Sequence, residues 1–412
     1  MKSASIVSIG NELLNGQTLD TNASYLSQEL LSMGLPVVSW HTVADDTDSI
    51  ARALQLASED ADIVLVTGGL GPTDDDVTRK ALAKLLNVSL EFHKELLEKI
   101  EKHFASRNIT MPSNNRIQAY LPAGTRVIEN KWGTAPGIVA QFGTKLIFVL
   151  PGVPIEMKQM FQESIAPRLA KLVTGQAVTV RKLRCFGTSE SAIAELMGDM
   201  MQRGRNPQVN CTAASGIITL HIIATAENKN TADEMVQTAE KFIKNILGDL
   251  IYGEGEQTLA QVVGEKLFKR KQTVAVAESC TGGLLAKLFT DIPGASEYFT
   301  CGWVTYSNDA KITELGLSTQ VIEKYGAVSE ETAALMAQKA RQKAGADFAI
   351  SITGIAGPAG GTKDKPIGLV FIGLSDAQKI QTKRFIFSGD RETIRMRAAL
   401  TALNMLRLRL QI

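Results

Sequence analysis

The chain has 412 residues, enough for two or three domains that each bury a core of their own. Lys plus Arg number 44 and Asp plus Glu 43, a net charge of +1 that argues against a nucleic-acid partner, while 44% apolar and 21% charged residues exclude a disordered chain. Only 6% of residues are aromatic but 34 are glycine, many at the ends of apolar runs, which suits an α/β enzyme whose backbone approaches ligands.

The first segment alternates strand and helix. Ala4 to Ile9 reads as a strand ending at Gly10, Asn22 to Met33 as a helix stopped by Gly34, and Leu35 to Val43 as a second strand. Thr47 to Ala57 reads as a helix, Ala61 to Thr67 as a strand running into GGLGPT, Glu91 to Arg107 as a helix and Lys145 to Leu150 as a strand. That spacing predicts a mostly parallel sheet covered on both faces. From about residue 172 the pattern changes. A strand at Val178 to Phe186, a helix at Ser189 to Met201, a hairpin of Val209 to Thr212 with Ile217 to Thr225, and a helix at Thr231 to Leu247 make a small β-α-β-β-α module. GEGEQ, residues 253–257, reads as a linker, after which a third unit starts with a helix at Thr258 to Lys269. The expected domains are 1–170, 172–250 and 255–412.

The first 16 residues lack the long apolar core of a signal peptide, and no apolar run approaches the ~18 residues of a membrane helix. Cys185, Cys211, Cys280 and Cys301 form no C-x-x-C pair, so a reduced, cytoplasmic protein without a membrane partner is expected. The four histidines are His41, His93, His103 and His221. None lies in the last unit, which closes Ser-His-Asp and Cys-His mechanisms there unless another domain or subunit supplies the imidazole.

Two constellations carry chemistry. In TGGLGPTDDDVT, residues 67–78, Gly68, Gly69 and Gly71 free backbone amides to wrap an anion beside a helix N-terminus, with Thr73 in the same loop. Asp74, Asp75 and Asp76 follow. Each alone is an ordinary helix cap, but three together repel one another, and with no nearby His or Cys a hard cation such as Mg²⁺ would relieve them. GNELLNGQTLDTN brings Glu12, Asp20 and Asn22 to the end of the first strand, WGTAPG brings Gly133 and Thr134, and PGVPIEM brings Pro154 and Glu156. Plain turn chemistry is the competing reading of these loops.

GNELLNG, DTN, VTGGLGPTDDDVT, GTAPG and PGVP, in this order, resemble the CinA family (competence/damage-inducible protein A). The resemblance implies a molybdopterin-binding-like α/β sandwich at the N-terminus and a KH-like α+β middle domain, although no GXXG clamp for RNA is evident. It further implies a metal-dependent ADP-ribose pyrophosphatase, with Asp75, Asp76 and Glu156 as metal ligands.

In the last unit, AVAESCTGGLLAKLF reads strand, tight turn, helix, with Ser279, Thr281, Gly282 and Gly283 at the helix start. A hydroxyl there meets free amides and a positive dipole end, although taken alone Ser279 is an N-cap. YSNDAK adds Tyr306, Asn308 and Lys311, and TGIAGP adds Thr353 and Gly354. With no His available, Lys311 is the natural base if burial lowers its pKa. Arg391 and Arg395 stand i, i+4 in GDRETIR, placed to clamp a phosphate or to pair with Asp390 and Glu392. ESCTGG, YSNDAK, GAVSEET, TGIAGPAGG and KPIGLV resemble the CinA C-terminal domain, which is similar to the PncC nicotinamide mononucleotide (NMN) amidohydrolase. The resemblance implies an α/β amidohydrolase domain without a cofactor. It makes Ser279 the nucleophile, surrounds it with Tyr306, Lys311 and Thr353, and suggests a homodimer. The rival expectation is a non-enzymatic pterin-binding or DNA-uptake accessory protein.

Overall fold

The computed structural model describes residues 2–172 and 177–411. Contacts divide the chain into two compact units, residues 1–179 with 224–234, and residues 180–223 with 235–412.

In the first unit, strands β1 (Ala4–Ile9), β2 (Val37–Val43), β3 (Ile63–Thr67), β4 (Arg126–Ile128), β5 (Gly137–Phe142) and β6 (Lys145–Leu150) form one sheet in the order β2-β1-β3-β6-β5-β4. The strands β2, β1, β3 and β6 run parallel, and β5 and β4 extend the sheet antiparallel. All residues of β1 and β3 are buried, as expected of parallel strands covered on both faces. Helices α1 (Thr21–Ser32), α2 (Thr47–Asp60), α3 (Thr78–Leu86), α4 (Lys94–Ala105) and α5 (Pro154–Met160) surround it. Leu26 and Leu30 of α1 pack with Met157 and Met160 of α5 in one core, and Ile50 and Leu54 of α2 pack with Leu82 of α3 in another. Two expectations need correction. The predicted helix from Glu91 starts as a strand, Leu90–Phe92, paired with Tyr120–Pro122, and only Lys94–Ala105 is helical. The helix behind GGLGPT begins at Thr78, with Val77 at its cap position, so none of Asp74, Asp75 or Asp76 is an N-cap.

A four-stranded sheet follows, from β7 (Ala177–Phe186), β8 (Gln208–Ala214), β9 (Ile217–Ala226) and β10 (Ile251–Glu254) in the order β8-β9-β7-β10. Its helices are α6 (Glu190–Met197) and α7 (Lys229–Leu247). β10 overturns part of the predicted linker: Gly253 and Glu254 pair with Arg184 and Leu183 of β7.

The last domain holds α8 (Leu259–Arg270), β11 (Val274–Glu278), α9 (Leu284–Thr290), β12 (Phe299–Val304), α10 (Asn308–Leu315), α11 (Glu330–Ala344), β13 (Phe348–Gly354), β14 (Leu369–Ser375), β15 (Ile380–Ile386) and α12 (Arg391–Arg409). The sheet order is β12-β11-β13-β14-β15, parallel through the first three strands and antiparallel beyond. The carboxyl ends of β11, β12 and β13 therefore lie side by side. In an open parallel sheet that is where ligand groups gather. Among the described residues, no helix is long and apolar enough to cross a membrane.

Candidate functional sites

At the ends of β1, β3 and β6 a cavity of about 400 Å³ is lined by Glu12, Gly68, Gly69, Gly71, Thr73, Asp75, Asp76, Thr134 and Glu156. Gly68 and Gly69 adopt φ of +111° and +65°. A Cβ at Gly68 would stand 2.2 Å from the Ile9 carbonyl, and one at Gly69 would stand 2.1 Å from Thr78 Oγ1, so both positions require glycine. Their crowding is against β1 and α3.

Asp76 is turned into the loop. Its carboxylate accepts from Gly71 N at 2.6 Å, from Thr73 N at 2.8 Å and from the Thr73 hydroxyl. It thereby occupies two amides that the glycine-rich pattern offers to an anion. Arg79, 2% exposed, donates to the carbonyls of Leu70 at 2.6 Å and Gly71 at 2.8 Å, and burial lowers its pKa to about 10. The Asp75 side chain is exposed and makes no hydrogen bond or ion pair among the described residues, while its carbonyl accepts from Val77 N at 2.8 Å. Glu156 accepts from Asn130 Nδ2 at 2.7 Å. Asn130 also accepts from Trp132 N and Gly133 N, which fixes the WGTAPG loop. Sequence reasoning assigned no role to Arg79, Asn130 or Asp45. Asp45 accepts from Asn11 N at 2.8 Å, and its carboxyl pKa is raised by burial and by the charges of Glu12, Asp75 and Asp76.

Asp20 and Asn22 line a smaller cavity of about 110 Å³ together with Glu12 and Pro154. Asp20 caps α1 by accepting from Ala23 N, and Asn22 Nδ2 donates to Thr67 Oγ1 and the Gly152 carbonyl. Their remaining oxygens, Asp20 Oδ2 and Asn22 Oδ1, are buried without a donor. The acidic lining suits a cation. Among the described residues no three carboxylate, His or Cys side chains are grouped to hold an ion.

The second site stands at the carboxyl end of β11. Ser279 is 8% exposed and Lys311, from α10, is 1% exposed. Lys311 Nζ lies 3.1 Å from Ser279 Oγ, and it donates to the Thr305 carbonyl at 2.8 Å and the Ser307 carbonyl at 3.5 Å. No carboxylate pairs with it, and burial lowers its pKa from 10.5 to about 8. The surface-lysine reading is thereby excluded. Ser279 N donates to the Ile352 carbonyl of β13 at 2.9 Å, which fixes the turn.

Glu278, fully buried, accepts from the amides of Gly283 at 3.1 Å, Leu285 at 3.0 Å and Ala286 at 2.7 Å. It caps α9 from the preceding strand, so those amides are not free for an oxyanion, contrary to expectation. Gly282 and Gly283, at φ +59° and +90°, shape the turn. The amides of Cys280 and Thr281 have no backbone acceptor among the described residues. Cys280 is 5% exposed and its thiol is pushed up to about 12, chiefly by burial.

Other predicted residues separate into mouth and support. Arg391 donates to Tyr306 Oη at 2.7 Å and to the Gly357 carbonyl at 2.7 Å, and Tyr306 is 58% exposed. Arg395 donates twice to the Thr281 carbonyl, at 2.6 and 3.1 Å, and thus braces the nucleophile turn. Neither arginine pairs with Asp390 or Glu392. Asp390 caps α12 instead. Thr353, fully buried, donates to the Ala327 carbonyl at 2.7 Å, and Gly354 packs against Leu369 and Val370, so both support the loop. Thr281 is also fully buried, its Oγ1 without a partner among the described residues. Asn308 is exposed at the start of α10.

Comparison with known proteins places three family descriptions on the chain. The "Probable molybdopterin binding domain" matches residues 5–171, the "Damage-inducible protein CinA KH domain" residues 180–253, and the "CinA C-terminal domain" residues 256–410. The chain is similar to a CinA-like protein of Dictyoglomus thermophilum, 42% identical over 402 residues that cover 98% of each chain. A CinA-like protein of Dictyoglomus turgidum matches to the same extent, 42% over 402 residues and 98% of each. Among solved structures, the competence/damage inducible protein CihA from Agrobacterium tumefaciens is 39% identical. It covers 37% of this chain and 94% of its own, with a TM-score of 0.37.

Proposed function

The chain belongs to the CinA family, and on that premise we propose that it is a bifunctional hydrolase of pyridine-nucleotide metabolism. Its C-terminal site deamidates NMN to nicotinate mononucleotide and ammonia. Its N-terminal site hydrolyses a nucleotide diphosphate such as ADP-ribose to AMP and ribose 5-phosphate. Both substrates are breakdown products of NAD.

The observation that carries the first activity is the buried Ser279–Lys311 pair, 3.1 Å apart. A neutral Lys311 amine has two N–H groups to give, and the carbonyls of Thr305 and Ser307 are placed to take them. The lone pair then faces Ser279 Oγ. Lys311 accepts the hydroxyl proton as Oγ attacks the carboxamide carbon. On this reading the amides of Cys280 and Thr281 receive the oxyanion. Collapse of the tetrahedral intermediate expels ammonia, with the proton returned from Lys311, and leaves an ester on Ser279. Water attacks that ester, losing its proton to Lys311, and Lys311 passes a proton to Ser279 Oγ as the C–O bond breaks, which releases the acid and the free serine. Arg391, at the mouth beside Tyr306, suits the substrate phosphate, whereas Arg395 is committed to the Thr281 carbonyl.

In the N-terminal cavity a divalent cation would be held by the acidic lining and would neutralise charge on the diphosphate. Mg²⁺ is commonly held by one or two carboxylates together with substrate phosphates, and Asp75 has its carboxylate free for that purpose. A pterin-binding, non-enzymatic role is the second reading, favoured by the molybdopterin-type match over residues 5–171. Purified protein mixed with NMN and assayed for ammonia separates the two. Steady release supports the hydrolase, and none at any substrate concentration refutes it.

A further inference from the structure

A third cavity, of about 680 Å³, belongs to neither site. It lies within the unit of residues 180–223 and 235–412, where the turn after β7 and the Gly216 turn face α12 and the end of β15. Its size falls within the range of small-molecule pockets. Phe385 and Phe387 line one wall, their rings stacked at 5.5 Å with an interplanar angle of 9°. Arg397 and Asn404 reach it from α12, and Lys383 stands exposed at the rim.

Two features of the lining bear on what the space would hold. Gly187 and Gly216 line it with φ of +97° and +82°. A Cβ at Gly216 would meet Phe186 at 3.8 Å and Arg397 Nε at 3.9 Å, ordinary contact distances, so it is the positive φ that calls for glycine there. The second feature is the guanidinium itself. Arg397 Nε is buried with no partner, and Nη1 reaches only Ser388 Oγ at 3.5 Å. Neither Arg397 nor Lys383 makes an ion pair among the described residues, and Asp249 is the one carboxylate in the lining. A guanidinium Nε without a partner, in a cavity that Lys383 also lines, matches a phosphate, and the phenyl side chains of the wall match the apolar face of a base.

We infer that this cavity binds a mononucleotide, its base on the Phe385–Phe387 wall and its phosphate on Arg397 with Lys383 adding to the field. The site is independent of both hydrolytic centres, so its fate does not depend on the proposed reactions.

The test is equilibrium dialysis of the full-length protein with labelled AMP, at low and at physiological salt. Wild-type protein should hold one more AMP per chain than Arg397→Gln. Lys383→Ala, an exposed change that leaves folding intact, should weaken that site several-fold and flatten its salt dependence. Adenosine, which lacks the phosphate, should bind it at least ~10-fold more weakly. Thermal midpoints and circular dichroism confirm that the variants are folded. The inference is overturned if Arg397→Gln and Lys383→Ala both leave the AMP isotherm unchanged. It is equally overturned if adenosine binds as tightly as AMP, or if only a single-stranded oligonucleotide occupies the site.

Discussion

Ser279 and Cys280 are adjacent, and side-chain chemistry alone favours the thiol as nucleophile near neutral pH. The fold reverses that preference. Cys280 is 5% exposed with its thiol pushed up to about 12, whereas Ser279 lies 3.1 Å from a lysine amine. Ser279→Ala and Lys311→Ala are each expected to lower NMN turnover by 10³-fold or more, about 4 kcal/mol in the barrier, while Cys280→Ala keeps most activity. An active Ser279→Ala together with a dead Cys280→Ala would reverse the assignment. The lysine also sets the pH dependence. It must be neutral to accept a proton, and burial places its pKa at about 8. kcat/KM for NMN should therefore rise about tenfold per pH unit below that value and level off above it. Folding stability shifts in the same direction. Between about 8 and the ordinary 10.5, the unfolded chain binds the proton and the folded chain does not, so stability rises with pH across that window. Below about 8 both states are protonated and the burial penalty is constant. Lys311→Met should abolish that rise in pH-dependent urea titrations.

The glycine-rich loops were legible because short motifs announce turns, and the lysine because its unit contains no histidine. The residues that brace those loops were not, because their partners are distant backbone groups. Asp45 meets an amide 34 positions away, and Arg395 meets the Thr281 carbonyl 114 positions away. Glu278 reads as one more polar residue at a strand end, yet its carboxylate takes the amide of Gly283 and two amides of α9. The Asp run shows the same limit. Periodicity offered three equivalent helix caps or metal ligands, whereas the loop turns Asp76 inward and leaves Asp75 exposed. The two acids should therefore separate experimentally. Asp75→Ala should remove metal-dependent ADP-ribose cleavage with an unchanged thermal midpoint. Asp76→Ala leaves the Gly71 and Thr73 donors without their acceptor, so it should lose activity and also about 1–3 kcal/mol of stability. Denaturant melts of the two variants beside their pyrophosphatase rates measure the split. Full activity in both would remove these acids from the reaction, and neither variant should alter NMN deamidation.

At the scale of the molecule, the sequence places every C-terminal motif beyond GEGEQ and so predicts that residues 255–412 fold and deamidate NMN alone. The packing modifies that expectation. Arg407, 2% exposed near the end of α12, donates to the Asp249 carbonyl at 2.5 Å and the Ile251 carbonyl at 3.4 Å. Phe186 and Tyr252 of the middle module join the same apolar core as Leu403 and Leu406. A cut at 255 removes both carbonyls and both aromatic rings, leaving a guanidinium and an apolar patch facing water. Burial of large side chains is worth about 1.5–3 kcal/mol each, so the loss is several kcal/mol, a large share of an ordinary domain's stability. No residue of the Ser279–Lys311 pair or of its supporting turn lies before 278. The fragment 255–412 should accordingly retain NMN turnover per folded molecule yet melt well below a fragment 180–412. Scanning calorimetry of the two fragments, with ammonia release at a temperature where both are folded, decides the matter. Equal midpoints would show that the middle module contributes nothing to the C-terminal core. A folded but inactive short fragment would show that the amidohydrolase site needs groups from outside its own domain.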